Sequence, residues 1–461
     1  MNKHYHLIGI GGIGMAGLAS LLLAKGHKIS GSDIKETILL CKLREQGAQI
    51  FLGHAATNVV NPDYVVYSSA IDRANPEMTA ARQKKIPLLK RAELLSQTIG
   101  DQLSITVAGA HGKTTTTSMV GQLLQDGGLK PTIAVGGIVN QGSYNASLGQ
   151  GKYFVAEVDE SDGSFLYFSP YYSIITNVDF EHVDYYHNWK NILNAYRKFI
   201  ERTHSQGCVI GCGEDARLAN LLKESRRPCL LYGFSREFDV CAENIFVDGH
   251  SSRFDCYVRG KKEGTVTLNV PGRHNVLNAL ACVGVGEKLS LPFAVIAESL
   301  GKFLGVERRF QLKFKNEDYQ VYDDYGHHPT EIRATLEAAR ALKPKRLVVA
   351  FQPHRYTRTK FLMDEFVASL ILSDYLMITD IYAASEKPIA GISARDLAEK
   401  IKQKNVNTVT YLPKEEITKH ITQILSPGDM ILTLGAGDIT KISDELATTL
   451  NGRCGCNREK R

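Results

Sequence analysis

Val107-Ala108-Gly109-Ala110-His111-Gly112-Lys113-Thr114-Thr115 is the stretch from which the fold of this 461-residue chain is read. A strand-like segment, Leu103 to Val107, enters it, and an amphipathic helical pattern, Thr115 to Gln125, leaves it. A strand that turns through glycines into a helix start has the outline of a nucleotide phosphate loop. Glycines let backbone N–H groups close around phosphate oxygens, and the helix N-terminus adds positive potential. Gly109, Ala110, His111, Gly112, Lys113, Thr114 and Thr115 would form the cradle. Lys113 would reach the β- and γ-phosphates, and the Thr114 hydroxyl would complete a Mg²⁺ shell. Two residues rather than four separate the glycines, a departure from the usual spacing. The plain alternative, a Gly-rich turn with an exposed lysine, leaves the run of strand, GKTT and helix unexplained. An ATP site is expected.

Toward the N-terminus, Tyr5 to Gly14 repeats the pattern, with Gly9, Gly11 and Gly14 at G-x-G-x-x-G spacing and a helical run from Met15 to Lys25. His27 to Ser32 reads as the next strand, ending in Asp33. The obvious reading is a dinucleotide fold with Asp33 on a ribose hydroxyl. The loop itself asks only for a pyrophosphate, which a nucleotide sugar also carries, and a tight turn without ligand fits as well. Tyr64 to Tyr67 is a further strand, followed by Ser68-Ser69-Ala70-Ile71, small residues at the strand end where open α/β sheets bind ligands. Lys84 to Thr98 reads as a boundary, so the first domain ends near residue 100.

Downstream of the phosphate loop, Tyr153 to Val158 is an apolar strand running into Asp159-Glu160-Ser161-Asp162. Glu157 at its end is the expected second holder of Mg²⁺, since hard cations take oxygen ligands. Ser173 to Val178 is another strand, and Asp179-Phe180-Glu181-His182 should project from the same sheet edge. Cys208 to Val270 reads as short strands and turns. Asn275 and Asn278 share a face of the helix that opens at Pro271, and amides can read adenine; one capping the helix and one solvated fits equally. From about Gln311 a third unit runs through strands at Tyr319–Tyr322, Arg346–Phe351, Tyr375–Thr379 and Met430–Leu434. Helices are expected at Pro329–Leu342, Thr359–Leu372 and Ala394–Lys404. Polar clusters at the strand ends, Asp323 to Pro329 and Gln352 to Arg358, offer histidines and acids for a metal. Arg355 and Arg358 favour an anionic partner instead, because guanidinium forks match carboxylate and phosphate, with a structural network of buried His and Arg as the plain alternative.

Composition sets the frame. The apolar share of 43% supplies core for two or three domains, and no apolar run approaches a membrane span. The leading residues run directly into a strand, so no cleavable signal is read. Nine cysteines, scattered and often in apolar segments, read as reduced core residues of a cytoplasmic protein. Cys454-Gly-Cys456 has no partner pair at zinc spacing. The net charge of +6 is spread along the chain without aromatic interleaving, which leaves nucleic-acid binding unsupported.

These motifs, in this order, resemble the Mur ligase family, most closely its alanine-adding members. The likeness rests on GIGGIGMAGLA from Gly9, SSAI from Ser68, AGAHGKTTT from Ala108 and AEVDESDGSF from Ala156. GRHNVLNALA from Gly272, ERRF from Glu307, DDYGHHPTEI from Asp323, FQPHRYTRT from Phe351 and GAGDI from Gly435 complete it. It runs from Tyr5 to about Lys441. Ala110 stands where the family pattern has Thr, the tail from Gly452 to Arg461 matches nothing in it, and no carbamylated metal-bridging lysine is assigned.

The resemblance implies an α/β chain of three domains: a Rossmann-like sheet over 1–100 for the UDP-sugar, a mixed phosphate-loop sheet over 101–311 for ATP, and a doubly wound Rossmann-like sheet over 312–461 for the amino acid. It implies ATP-dependent joining of L-alanine to the lactyl carboxylate of UDP-N-acetylmuramate through an acyl phosphate, with Mg²⁺ and with Mn²⁺ as a substitute. By the same resemblance Lys113, Thr114, Glu157 and His182 act at the phosphates and metals; His274, Asn275 and Asn278 hold the base; Arg309 and Asp323 belong to the nucleotide set. Gly11, Gly12, Ile13, Gly14, Asp33, Ser69 and Ser161 belong to the substrate set, and Tyr325, His327, His354, Arg355 and Arg358 face alanine, with His327 or His354 as a base. A monomer or weak homodimer, free of nucleic acid and membrane, is expected, with closure of the domains assembling the reaction centre. Three other readings remain: a dehydrogenase suggested by the N-terminal fingerprint, a non-catalytic nucleotide-gated protein, and a sister ligase with another amine.

Overall fold

Three sheets, each sandwiched by helices, organise the chain in the computed structural model, which describes residues 2–137, 146–248, 250–384, 386–404 and 408–458. Its contacts group into two compact units. One holds the first two sheets (1–245, 253–269 and 275–304); the other holds the third (246–252, 270–274 and 305–461).

The first sheet is all parallel, in the order Gln49–Leu52, Lys28–Asp33, His4–Ile8, Tyr64–Tyr67, Leu88–Lys90. Tyr5, His6, Leu7 and Ile8 are all buried, as a parallel strand covered on both faces requires. The chain reverses direction across the sheet at His4–Ile8, and the glycine loop sits at that switch point. The stretch 84–98, read as a boundary, is instead the edge strand Leu88–Lys90 and the helix Arg91–Ile99. Its lysines and arginines mask an apolar set, Leu89, Ala92, Leu94 and Leu95, that packs inward.

The central sheet has ten strands: Lys261–Leu268, Ser251–Val258, Val240–Asp248, Cys229–Gly233, Cys208–Cys212, Tyr172–Ile175, Leu103–Ala108, Tyr153–Glu157, Thr132–Ala134 and Ala146–Ser147. Thr132–Ala134 pairs antiparallel with Ala146–Ser147 and parallel with Tyr153–Glu157, so the sheet is mixed. Within the segment read as strands and turns lies a helix, Ala216–Lys223. Asp215 caps it by accepting from Arg217 and Leu218 N–H, and Leu218, Ala219, Leu221 and Leu222 fill its buried face.

The third sheet runs Gln311–Lys315, Tyr319–Asp324, Asp429–Leu434, Arg346–Phe351, Tyr375–Ile378, Thr408–Tyr411, parallel except for the first pair. Strand alternation divides its core. Leu347, Val349 and Phe351 pack with Ile332, Leu336 and Phe366, whereas Val348 and Ala350 pack with Ile417, Ile421 and Leu446. The helix expected over 359–372 is broken at Leu362 into Tyr356–Phe361 and Met363–Leu370. The closing helix Thr440–Arg458 continues into the unmatched tail. The side chains of 452–458, including Cys454 and Cys456, and all of 459–461 lie outside the described residues. Among the described residues no helix is long and apolar enough to cross a membrane.

Candidate active site

The phosphate loop shows why its glycines stand where they do. Gly109 has φ +127°, and a Cβ there would lie 2.1 Å from Thr176 Oγ1; Gly112 has φ +81°, and a Cβ would lie 2.6 Å from Asn278 Oδ1. The turn is fastened from the neighbouring strand end. His111 N–H donates to Asn177 Oδ1 at 2.9 Å, and the His111 carbonyl accepts from Thr176 Oγ1 at 2.6 Å and Asn177 Nδ2 at 3.0 Å. His111 Nε2 lies 2.9 Å from Asp179 Oδ2. The helix Lys113–Asp126 then begins, with Thr114 and Thr115 buried in its first turn.

Lys113 Nζ donates to the carbonyls of Gly109 and Ala110 and to Glu160 Oε1, the last at 2.9 Å. Burial opposes its charge, yet Glu160, Asp159 and Glu157 together hold the ammonium above the ordinary lysine value. Thr114 Oγ1 donates to Glu157 Oε1 at 3.2 Å, and Gly136 N–H donates to Glu157 Oε2 at 2.8 Å. His182 Nε2 lies 3.5 Å from Glu160 Oε1 and 3.6 Å from Glu181 Oε2. The ligand atoms of Glu160, Glu181 and His182 fall within 4.8 Å of one another. Burial works against a charged His182, and Glu160, Glu181 and Asp159 outweigh it. Glu160 Oε2, buried, has no hydrogen-bond partner among the described residues. Oxygens of this kind, one buried and unsatisfied, beside an imidazole suit a hard divalent cation.

Asn278 lies against Gly112 and is engaged: it accepts from Thr116 Oγ1 at 3.2 Å and donates to Asn275 Oδ1 at 3.2 Å. Asn275 and Asn278 group with the first unit, His274 with the second. Burial, with Arg309 nearby, pushes the His274 imidazole down to about 4.

In the first sheet the Ser32 carbonyl accepts from Gly9 N–H at 2.8 Å and Ile10 N–H at 3.1 Å. Asp33 Oδ2 accepts from Gly11 N–H at 2.9 Å, so this carboxylate anchors the loop itself. Gly12, Ile13 and Ser69 are exposed around it, and a Cβ at Gly14 would stand 3.1 Å from Arg91 Nη1. Ser161 donates its N–H to Asp159 Oδ1 at 2.8 Å.

The third sheet gathers a polar cluster. The rings of Tyr325 and His327 meet edge-on at 5.4 Å, those of His327 and His354 at 5.5 Å, and Tyr382 stacks on His354. Arg358 Nη1 lies 3.2 Å from His354 Nδ1, and Arg355, at φ +69°, lies 4.0 Å from Glu386. Arg309 Nη1 donates to Glu331 Oε1 at 3.2 Å. Asp323 sits inside the sheet rather than on its polar rim, fully buried and accepting from Arg308, Thr433 and Thr440.

Sequence reading missed Glu160, Glu331 and Arg91. Glu160 stood within a quoted acidic run, and Glu331 opens a helix behind DDYGHHP; their partners lie 47 and 22 residues away, beyond any local signal. Arg91 was hidden in the stretch taken for a boundary.

Three family models match in sequence: "Mur ligase family, catalytic domain" over 4–102, "Mur ligase middle domain" over 107–286, and "Mur ligase, glutamate ligase domain" over 308–437. The UDP-N-acetylmuramate–L-alanine ligase of Geotalea uraniireducens is 45% identical, covering 97% of this chain and 98% of its own. That of Pelotomaculum thermopropionicum is also 45% identical, over 97% and 98%. Among solved structures, the UDP-N-acetylmuramate–alanine ligase of Thermotoga maritima superposes with a TM-score of 0.84 at 30% identity, over 98% of this chain and 100% of its own. The murein peptide ligase of Psychrobacter arcticus does so at 0.73 and 25% identity, over 97% and 99%. With models for all three of its segments and full-length relatives at this identity, the chain belongs to the Mur ligase family.

Proposed function

We propose that the chain joins L-alanine to the lactyl carboxylate of UDP-N-acetylmuramate, converting ATP to ADP and phosphate. The observation that carries this reading is the 45% identity, end to end, with ligases bearing that name. The phosphate loop supports the chemistry. A carboxylate is a poor acyl donor, so the γ-phosphoryl group of ATP passes to it first, giving an acyl phosphate. That transfer asks for positioning and charge neutralisation rather than covalent help. Lys113 and the backbone N–H groups of Gly112 to Thr114, at the helix start, bind the phosphates. Thr114 and Glu157 would hold Mg²⁺, or Mn²⁺ in its place, and His182 a second ion, each supplying further neutralising charge. Asn275 and Asn278 brace the loop from below and, with His274, serve the base, while Arg309 serves the phosphates.

Residues 1–100 bind the sugar nucleotide through the Gly11 to Gly14 loop, 101–311 bind ATP, and 312–461 bind the amino acid. Arg355 and Arg358 take alanine's carboxylate and so aim its amine. The enzyme works in the cytoplasm, where its thiols stay reduced, as a monomer or weak homodimer.

The test is phosphate release from ATP with UDP-N-acetylmuramate, comparing L-alanine, glycine, L-serine, a tripeptide and no amine. Release that requires both the sugar nucleotide and L-alanine is expected. Release driven best by another amine would assign a sister activity, and release indifferent to the sugar nucleotide would remove the reading.

A further inference from the structure

We propose that Glu331 and His327 form a carboxylate–imidazole pair that makes His327 Nε2 the base for the incoming amine. This rests on the reaction given above. Glu331 stands in the first turn of the helix Pro329–Ala341, its side chain 9% exposed, and its two oxygens are divided between two partners. Oε1 accepts from Arg309 Nη1 at 3.2 Å. Oε2 accepts from the His327 backbone N–H at 3.2 Å and lies 3.3 Å from His327 Nδ1. The Tyr325 carbonyl oxygen lies 3.1 Å from that same Nδ1. Both groups are acceptors, so they select the tautomer with hydrogen on Nδ1, and the neutral ring carries its lone pair on Nε2. Arg309 keeps the carboxylate from swinging away, and Tyr325 and His354 hold the ring edge-on from either side. His354 is the poorer base. Its Nδ1 faces the Arg358 guanidinium at 3.2 Å, a cation that opposes further charge on the ring.

Alanine arrives as an ammonium with no lone pair. One of its protons passes to His327 Nε2, leaving a neutral amine and an imidazolium balanced by Glu331. The amine nitrogen bonds to the acyl-phosphate carbonyl carbon, the bond from that carbon to the phosphate oxygen breaks, and phosphate leaves with the electron pair. A second N–H proton goes to the departing phosphate, and His327 returns the first to water. His327 is the catalytic residue here; Glu331 is a positioning residue that acts through it.

Hydroxylamine separates this role from the others, because it is neutral at pH 7 and needs no base to attack an acyl phosphate. Glu331→Gln should lower kcat with L-alanine by ~10²-fold, while hydroxamate formation from UDP-N-acetylmuramate and ATP stays within a few-fold of wild type. Glu331→Asp should restore part of the alanine rate. The groups facing His327 include Glu331, Tyr325 and His354, with Arg309 and Arg358 behind them. Loss of the one carboxylate among them should move the acid limb of the alanine kcat profile to lower pH. His327→Gln, which leaves Glu331 on Arg309, should show the same split between amines and carries the test where Glu331→Gln does not fold. An equal loss with both amines, or an unchanged alanine rate, overturns the proposal. A wild-type enzyme that makes neither amide nor hydroxamate overturns the reaction assignment itself.

Discussion

Lys113 carries two burdens that one substitution would confuse. By the proposed function it is the cation that meets the phosphates, and in the structure it is the partner of the buried Glu160. Lys113→Ala should therefore cut turnover by on the order of 10²–10³-fold and also cost about 3 kcal/mol, because a buried charge left alone is expensive. Adding Glu160→Gln should return the urea midpoint toward wild type without returning activity; recovery of both would mean that Lys113 serves the fold alone. Arg358→Ala should raise the KM for alanine about 10- to 100-fold, the worth of a charged hydrogen bond, with little change in the KM for ATP. An equal rise in both would move the amino-acid subsite elsewhere. His274 gives a pH signature. Held down at about 4 against an ordinary 6.5, it refuses a proton that the unfolded chain accepts. Stability is then whole above pH 6.5, falls as pH drops toward 4, and loses on the order of 3 kcal/mol over that window. Relative to His274→Gln, which has no such group, the urea midpoint of the wild type should fall as pH drops through the window, and parallel curves would mean that the imidazole is not held down. The meeting of Thr114 with Glu157 beside Lys113 was legible because a phosphate-loop motif is a local pattern and a strand-end acid is its usual companion. Glu331 was not, since nothing in PTEI foretells an arginine 22 positions away.

At the scale of elements, alternation and glycine punctuation gave the inner strands, whereas Gln49–Leu52, Leu88–Lys90, Thr132–Ala134, Ala146–Ser147, Gln311–Lys315 and Thr408–Tyr411, at or next to sheet edges, went unread, as did some short or interrupted helices. Ala216–Lys223 has only eight residues, too few for a period to stand out, and is recognisable mainly by its cap. Asp215 does more than cap. Its Oδ1 accepts from Arg217 and Leu218 N–H, while Oδ2 accepts from Val178 N–H at 2.6 Å, tying the helix to the segment that leads to Asp179 and His182. Asp215→Ala should cost about 1–2 kcal/mol as cap loss, whereas Asp215→Asn, which keeps an oxygen for the cap, should cost less. Equal losses in thermal or urea melts would locate the stabilisation in charge rather than in capping. The break at Leu362 has no glycine or proline to announce it. Its backbone leaves the helical region at φ −116°, ψ 25°, with Leu362 itself buried in the core between the sheet and Phe366.

At the scale of the molecule, three sheets in order were readable, but the grouping of two of them into one compact unit was not. That grouping is made by contacts distant in sequence. The helix Arg91–Ile99 lies beside Ser164–Tyr167, Ser96 Oγ donates to the Tyr167 carbonyl at 2.9 Å, and Lys90 lies 3.9 Å from Asp162. The third sheet is different, because among the described residues the apolar clusters on its two faces are built from the chain after residue 305. What it takes from earlier segments is small: the stretches 246–252 and 270–274, with His250 Nδ1 3.0 Å from Tyr322 Oη. A domain whose core is complete should fold without its borrowed edges, losing about 1 kcal/mol for a hydrogen bond such as this one. A fragment of residues 305–461 should then show native-like circular dichroism and a single cooperative urea transition. A non-cooperative melt with exposed apolar surface would mean that the borrowed segments close the core, and that the C-terminal sheet depends on the first unit to fold.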